Sequence, residues 1–206
     1  MDTATYLRIK NITDKILAFV LISASIPLFI IIILFIFLKD GRPILFAQNR
    51  VGHDRKPFLM YKFRTLANDT EGLAGDYQQI NEVEPPTFKI HKDPRVTRTG
   101  RFLRATYLDE LPQLLNILVG DMHLIGFRPP LEPEVGKYEP WQLERFAGYP
   151  GITSTWAVSG MHDLGFKRWM ELDIEYLKSA DPWKDFKIIF KTVFLILDAV
   201  NRYFTK

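Results

Sequence analysis

"ILAFVLISASIPLFIIIILFIFL", residues 16 to 38, runs for twenty-three residues without a charge. As a helix it would be roughly 35 Å long, enough to cross the hydrocarbon core of a bilayer. A soluble helix apolar on every face needs a large domain to bury it, and 206 residues do not supply one. The segment therefore belongs in lipid. It does not read as a cleavable leader, being too long and lacking a small-residue cleavage site after it. Pro27 sits near its middle, where it removes one helix hydrogen bond and crowds the carbonyl four residues back. A kink or break is predicted at Ser25–Pro27, with the Ser23 and Ser25 hydroxyls available to freed backbone groups.

The flanks decide less than usual. Arg8, Lys10 and Lys15 precede the run, and Lys39, Arg42, Arg50, Arg55 and Lys56 follow it. The positive-inside rule asks for asymmetry, and here both ends are basic. A re-entrant helix with both ends on the cytoplasmic side resolves the conflict. A kinked single-pass helix is the alternative.

The C-terminal stretch carries a second apolar signal. "DPWKDFKIIFKTVFLILDAVNRYF" opens with Asp181 as N-cap and Pro182 at the first helical position. Trp183, Phe186, Phe190, Val193, Leu197, Val200 and Phe204 recur at three- and four-residue spacing, with lysines mostly off that stripe. Such a helix either packs on the rest of the domain or lies on a bilayer surface; bulky aromatics beside lysines favour the surface.

Between the two lies a compact unit without repeats. The predicted organisation is a membrane-anchoring helix over 1–40, a main domain over 41–180 and an amphipathic helix over 181–206. "RPILFAQNRVG" and "PFLMYKFRTL" predict a β-hairpin near 44–65. Residues 66–88, with five acids, two glycines and a Pro-Pro pair, read as a long surface loop. Helices are predicted near 109–119, 138–147 and 166–179. The fold class is α+β, mostly helical.

Composition excludes several chemistries. The chain has no cysteine, so there are no disulfides, thiolate metal sites or cysteine nucleophiles. Four histidines lie far apart and in no metal-binding spacing. Neither a Walker A loop nor a GxGxxG fingerprint is present. The net charge of +3 is small, but its placement is uneven. Lys89, Lys92, Arg95, Arg98, Arg101 and Arg104 recur every third residue, with Asp93 the one acid among them. Pro94 and Gly100 argue against one continuous helix there. Cations so crowded seek anions: a phosphorylated substrate, phospholipid headgroups or, least well supported, nucleic acid, for which no binding motif exists.

"RATYLDELPQL", residues 104–114, places Asp109 and Glu110 next to this segment. Asp109 is well placed to cap a helix that starts there. The basic surroundings suggest instead transfer chemistry on a phosphorylated substrate, with Lys62, Arg64 and Arg128 adding fixed positive charge. Phosphoryl transfer needs positioning, neutralised phosphate oxygens and a nucleophile, which a carboxylate can be.

In order along the chain, "GRPILFAQNRVG", "PFLMYKFRTL", "DPRVTRTGRFLR", "LDELPQLLNILVGDMHLIGFRP", "PGIT" and "ELDIEYL" resemble the motifs of the bacterial sugar transferases of the monotopic phosphoglycosyl transferase type. The likeness covers about residues 10 to 200 and looks like the minimal form of that family. It implies a UDP-sugar donor, a polyprenol (undecaprenyl) phosphate acceptor, Mg²⁺, and a place at the cytoplasmic face of the bacterial inner membrane among its phospholipids, as a monomer or homodimer. It implies that Asp109 is the nucleophile and a metal ligand. Glu110 would be its partner acid, and Lys62, Arg64, Arg104 and Arg128 would face phosphates. It also implies re-entry at Pro27, release of UMP, and the first step of exopolysaccharide, O-antigen, capsule or glycoprotein assembly. The chain departs from the family pattern at Tyr107, Phe127, Ala157, Ser159 and Met161, which bears on donor recognition. The competing reading is a non-catalytic membrane-surface protein that binds anionic lipid or a glycan-assembly partner.

Overall fold

The computed structural model describes residues 2–67, 85–86, 90 and 93–205. Most of the predicted 66–88 loop, together with Lys89 and Lys92, lies outside them. The described chain is mostly helical with two small sheets.

Helix α1 spans Thr3–Asp40, with the Asp2 carboxylate accepting from the Thr5 N–H at its start. It continues through Pro27 as one helix rather than ending there. The two serines do not rescue the carbonyl that the proline strands. Ser23 Oγ donates to the Phe19 carbonyl and Ser25 Oγ to those of Leu21 and Ile22, each within its own preceding turn. Such back-bonding satisfies a hydroxyl in an apolar setting.

One narrow stripe of α1 is covered. Tyr6, Lys10, Asp14, Ala18, Ile32 and Ile36 are buried, whereas Phe19, Val20, Ile26, Ile30, Ile31, Leu34, Phe35 and Leu38 are exposed. Ala18 packs with Met60, Leu114, Ile117 and Met122, and Ile32 and Ile36 pack with Phe63 and Leu103. The helix is thus long and apolar enough to cross a membrane, and its apolar surface is mostly uncovered.

Polar contacts fasten both ends of α1. Lys10 Nζ lies 2.8 Å from Asp14 and 2.7 Å from Asp185, whose carboxylate also accepts from the hydroxyls of Tyr6 and Tyr176. The Leu124 N–H donates to Asp14. At the other end, the Asp40 carboxylate accepts from Thr97 Oγ1.

The predicted hairpin is present. Strand β1 (Leu45–Val51) pairs antiparallel with β2 (Pro57–Phe63), Phe46 facing Lys62 and Arg50 facing Phe58. Residues opposite one another share a face, and residues two apart along a strand do too. One face of the hairpin therefore carries Phe46, Gln48, Arg50 and Lys62. Beyond a bridge of Leu66 to Val96, α2 covers Arg98–Ala105 with Thr97 as N-cap. The glycine expected to stop a helix lies inside this one. A Cβ on Gly100 would stand 2.2 Å from the Thr65 carbonyl oxygen, so only glycine lets α2 approach the end of β2 so closely.

Helix α3 (Gln113–Val119) follows, then β3 (His123–Ile125), α4 (Glu132–Val135) and β4 (Gly151–Thr153), with β3 and β4 parallel. The helical turns over Pro140–Ala147 are of the tighter 3₁₀ kind. Buried Asn116 of α3 works as a piece of strand edge. Its Oδ1 accepts from the Tyr61 N–H and its Nδ2 donates to the Leu59 carbonyl, which fixes α3 against β2.

Helix α5 is Gly165–Ser179 and α6 is Pro182–Phe204, capped as predicted by Asp181, whose carboxylate accepts from the N–H groups of Trp183 and Lys184. The two readings of α6 separate cleanly. Asp185 and Ile188 are buried and Thr192 bonds Thr153, while Trp183, Phe186, Phe190, Val193, Phe194, Leu197 and Phe204 point outward. Most of the aromatic stripe does not pack on the domain; at its far end Phe204 and the neighbouring Tyr203 meet Phe102 of α2 edge-on. Helices α1 and α6 thus each carry a row of exposed large apolar side chains, the kind of surface that marks an interaction or membrane-contact site.

Candidate active site

Asp109 and Glu110 sit in a 3₁₀ turn over Leu108–Glu110 that joins α2 to α3. Asp109 does not cap a helix: Tyr107 holds the N-cap position of the turn, and α3 begins only at Gln113, after Pro112. Tyr107 adopts a left-handed conformation with φ of 58°, unusual for a residue with a Cβ. That reversal takes the chain out of α2 and turns the acids inward, at a strain of about 1–2 kcal/mol.

Asp109 is 8% exposed, forms no ion pair and accepts no hydrogen bond from any other described residue. Burial, followed by repulsion from Glu110, pushes its carboxyl up to about 6, against the pull of Lys62 and Arg104. Glu110 has the opposite fate. Burial works to raise it, but Lys62 Nζ donates to Oε1 at 2.8 Å, and with Arg128 and Arg50 it holds the carboxyl below the ordinary value. Neighbouring acids with pKa values driven apart are the usual mark of a division of roles. One is a poorly solvated and therefore reactive carboxylate. The other is a fixed anion within a cationic cluster.

The cations come from separate elements. Lys62 arrives on β2, Arg104 on α2, Arg128 on the segment after β3 and Arg50 on β1. Arg104 anchors its Nε on Thr65 Oγ1 at 2.9 Å, and its remaining N–H groups have no partner among the described residues. The Arg128 side chain has none at all among the described residues. Arg64 is held differently. Its guanidinium donates to the carbonyls of Asp40, Gly41 and Arg42, so it closes the C-terminal end of α1. Orphan carbonyls at a helix end need such donors, and an arginine fork supplies several at once. Arg95 pairs with Asp93 at 2.8 Å. The described part of the basic run between Lys89 and Arg104 is therefore no single stripe, and among its described cations Arg104 is the one placed beside Asp109.

Two residues of this neighbourhood escaped the sequence reading. Arg50 counted there only as a flank charge, although its place on the Lys62 face of the predicted hairpin is legible from strand alternation. Arg145 is buried, and no local signal announces that. Of the positions that depart from the family pattern, Phe127 packs its ring edge-on against Phe146 at 5.3 Å. Ala157 and Met161 pack around the stacked pair Trp156 and Trp169.

Among the described residues no group of three or more His, Asp or Glu could hold a metal ion unaided. The acid pair offers oxygen donors only, which suits a hard cation that takes most of its other ligands from water and from substrate phosphates.

A buried carboxylate unpaired among the described residues, surrounded by cations, on a domain fastened to a long apolar helix, is an arrangement suited to anionic ligands. The comparisons with known proteins narrow this class. Residues 5–199 match the family described as Bacterial sugar transferase, and the chain belongs to it. It is 42% identical over 160 residues to "Galactosyl transferase CpsE" of Streptococcus agalactiae, an alignment covering 77% of this chain and 36% of that protein. It is 39% identical over 170 residues to "Undecaprenyl-phosphate galactose phosphotransferase" of Salmonella typhimurium, covering 80% and 36%. It is 34% identical over 188 residues to "Exopolysaccharide production protein ExoY" of Rhizobium meliloti, covering 89% and 83%. The chain thus spans little more than a third of the first two relatives and most of the third.

Proposed function

We propose that the protein transfers a phospho-sugar from a UDP-sugar to a polyprenol phosphate at the membrane and so begins assembly of a surface glycan. The observation that carries this reading is the unpartnered, buried Asp109 carboxylate beside Arg104, Lys62 and Arg128. A carboxylate that no described residue pairs with, facing cations that no described residue fully uses, is an arrangement completed by a phosphate. The names of relatives from Salmonella and Erwinia, which refer to undecaprenyl phosphate, galactose and a lipid carrier, support the donor and acceptor classes.

In this mechanism an Asp109 oxygen attacks the phosphorus that bears the sugar. The bond from that phosphorus to the bridging oxygen breaks, UMP leaves with the electron pair, and an aspartyl phospho-sugar remains. An oxygen of the polyprenol phosphate then attacks the same phosphorus. The acyl-phosphate bond breaks, the Asp109 carboxylate is restored, and polyprenyl diphosphate sugar is formed. Arg104, Lys62 and Arg128 lower the electrostatic cost of bringing anions together. Glu110, held by Lys62, orients the acceptor phosphate or takes its proton. Asp109 would hold Mg²⁺, which when bound would supply charge neutralisation at the leaving phosphate.

The same reading places α1 as a re-entrant helix with both ends on the cytoplasmic side of the inner membrane, and α6 on the lipid surface. Its support is the fastening of both flanks of the apolar run to one folded unit: Lys10 and Asp14 on one side, Asp40 on the other. The outward aromatic face of α6 supports contact with phospholipid.

The test is intact-mass analysis of the purified protein incubated with Mg²⁺ and a panel of UDP-sugars. A phospho-sugar adduct with stoichiometric UMP is expected from one donor. No adduct and no UMP with any donor would sink the reading. For topology, cysteines placed near residues 3 and 42 should label from the same side, and Pro27→Ala should shift part of the population toward opposite sides.

A further inference from the structure

The segment Phe127–Pro130 contains two prolines, which have no N–H, so beyond the Phe127 N–H, which donates to the Tyr149 carbonyl at 3.3 Å, it offers few donors of its own. It is held mainly through four successive carbonyls. Phe127 O accepts from the Gly151 N–H at 2.9 Å, Arg128 O from Arg145 Nη2 at 2.9 Å, Pro129 O from Arg50 Nη1 at 3.1 Å, and Pro130 O from the Val51 N–H at 3.0 Å. Two of the four donors are guanidinium groups from distant parts of the chain. The side chain in the middle of this clamp, Arg128, has no partner among the described residues and is close enough to Glu110 to depress its pKa. The backbone is fixed on every side while the guanidinium it carries is left for something else.

Arg145 reaches Arg128 O from inside the core. It is 1% exposed, with the faces of Phe127, Trp169, Tyr138 and Phe146 around it and Asp173 of α5 at 2.7 Å. A buried ion pair is a poor device for stability, since apolar residues of like volume usually do as well or better. What apolar residues could not do is donate to the Arg128 carbonyl.

We infer that Arg50 and Arg145 are positioning residues that aim Arg128 at the substrate phosphates by holding the Pro129 and Arg128 carbonyls, with Asp173 as the counter-ion that lets Arg145 be buried. The inference rests on the reading of Arg128 as a phosphate-facing group. It gives a function to three motifs at once: "AQNRVG", "LERFAGYPG" and "ELDIEYL" meet on the backbone of "GFRPP".

The test is a mutant cycle on the full chain in lipid nanodiscs with two readouts: UMP release with Mg²⁺ and UDP-galactose, and affinity for pyrophosphate by calorimetry. Arg128→Met should slow UMP release about 10²–10³-fold, as loss of a charge-stabilising donor does. Arg50→Met, and Arg145→Met combined with Asp173→Leu, should each slow it about tenfold or more, since misplacement by an ångström is enough. The combined variant leaves no uncompensated buried charge and should melt within a few degrees of the wild type; Arg50→Lys, which keeps the charge, should lose less than Arg50→Met and serves if the latter fails to fold. Pyrophosphate affinity should fall in the same order. In the Arg128→Met background neither change should cause further loss in either readout, because groups that act through one residue are not additive with it. A merely structural role predicts losses that multiply in that background. Multiplying losses, a combined variant with wild-type rate and affinity, or a wild type that does not bind pyrophosphate would each overturn the inference. If the wild type releases no UMP from any UDP-sugar of the panel but the pyrophosphate cycle is non-additive, the transfer reading falls and the positioning role stands.

Discussion

Asp109 and Asp173 are both buried carboxylates, and burial pushes each up to about 6. Their surroundings nevertheless differ in the feature that matters. Asp173 faces Arg145 at 2.7 Å inside an aromatic cage, so its charge is answered by the protein. Asp109 stands on a strained turn with no such answer, next to a second acid and to cations with unused donors. A raised pKa alone cannot tell a working group from an architectural one. The partner does, and the two substitutions that remove a charge should have opposite signs.

Asp109→Asn should have the largest effect of all. An amide cannot form the acyl phosphate, so adduct formation and UMP release should drop below detection, a loss of about 10⁴-fold or more by comparison with other removed nucleophiles. Retention of the wild-type rate would remove Asp109 from the chemistry. Asp173→Asn should act on the fold instead. It strands the Arg145 cation in the core and should cost about 3–5 kcal/mol, read as a shift of the denaturation midpoint. If both substitutions destabilised alike, the contrast drawn between them would fail. Smaller again is the pH effect. Attack needs the carboxylate, so single-turnover adduct formation should fall about tenfold per pH unit below about 6. A profile flat down to the ordinary carboxylate range would mean that substrate binding restores the usual acidity.

Much of this arrangement is legible in the sequence, for identifiable reasons. The hairpin, the α5 and α6 helices and the apolar helix follow from local periodicity and capping, which do not depend on what packs against them. Asp181 and Pro182 state the start of α6 outright. The acids and the cations Lys62, Arg104 and Arg128 are readable through their motifs, and the structure brings all of them to one place. What was not legible is where a long side chain goes. Arg64 belongs to the same "KFR" element as Lys62, but two residues on, past the end of β2, it meets the free carbonyls of α1. Gly100 counts against a continuous helix over the basic run, and its place inside the short α2 is explained only by the close approach of Thr65. The cap expected at Asp109 failed because Tyr107 takes up the left-handed reversal and Pro112 delays α3. For Arg64 and Gly100 a distant contact decided the outcome, whereas at Asp109 the neighbouring residues did.

The smallest expected effect is also the sharpest probe of the contrast. Asp109 binds its proton more tightly in the folded chain than in the unfolded one, so the folded state holds more protons between the two pKa values. Its contribution to stability is therefore complete below about pH 4, the unfolded value, and is lost as pH rises through about 6. Asp109→Asn removes that penalty and should stabilise the protein by about 1–3 kcal/mol at pH 7, with the gain shrinking toward zero near pH 4. Denaturation midpoints of variant and wild type across that range measure the difference directly. The gain should vanish at every pH if a bound phosphate or metal already neutralises the carboxylate. Repeating the titration with UDP and Mg²⁺ therefore reports whether the cost of burying Asp109 is a cost of the empty site, removed when substrate arrives.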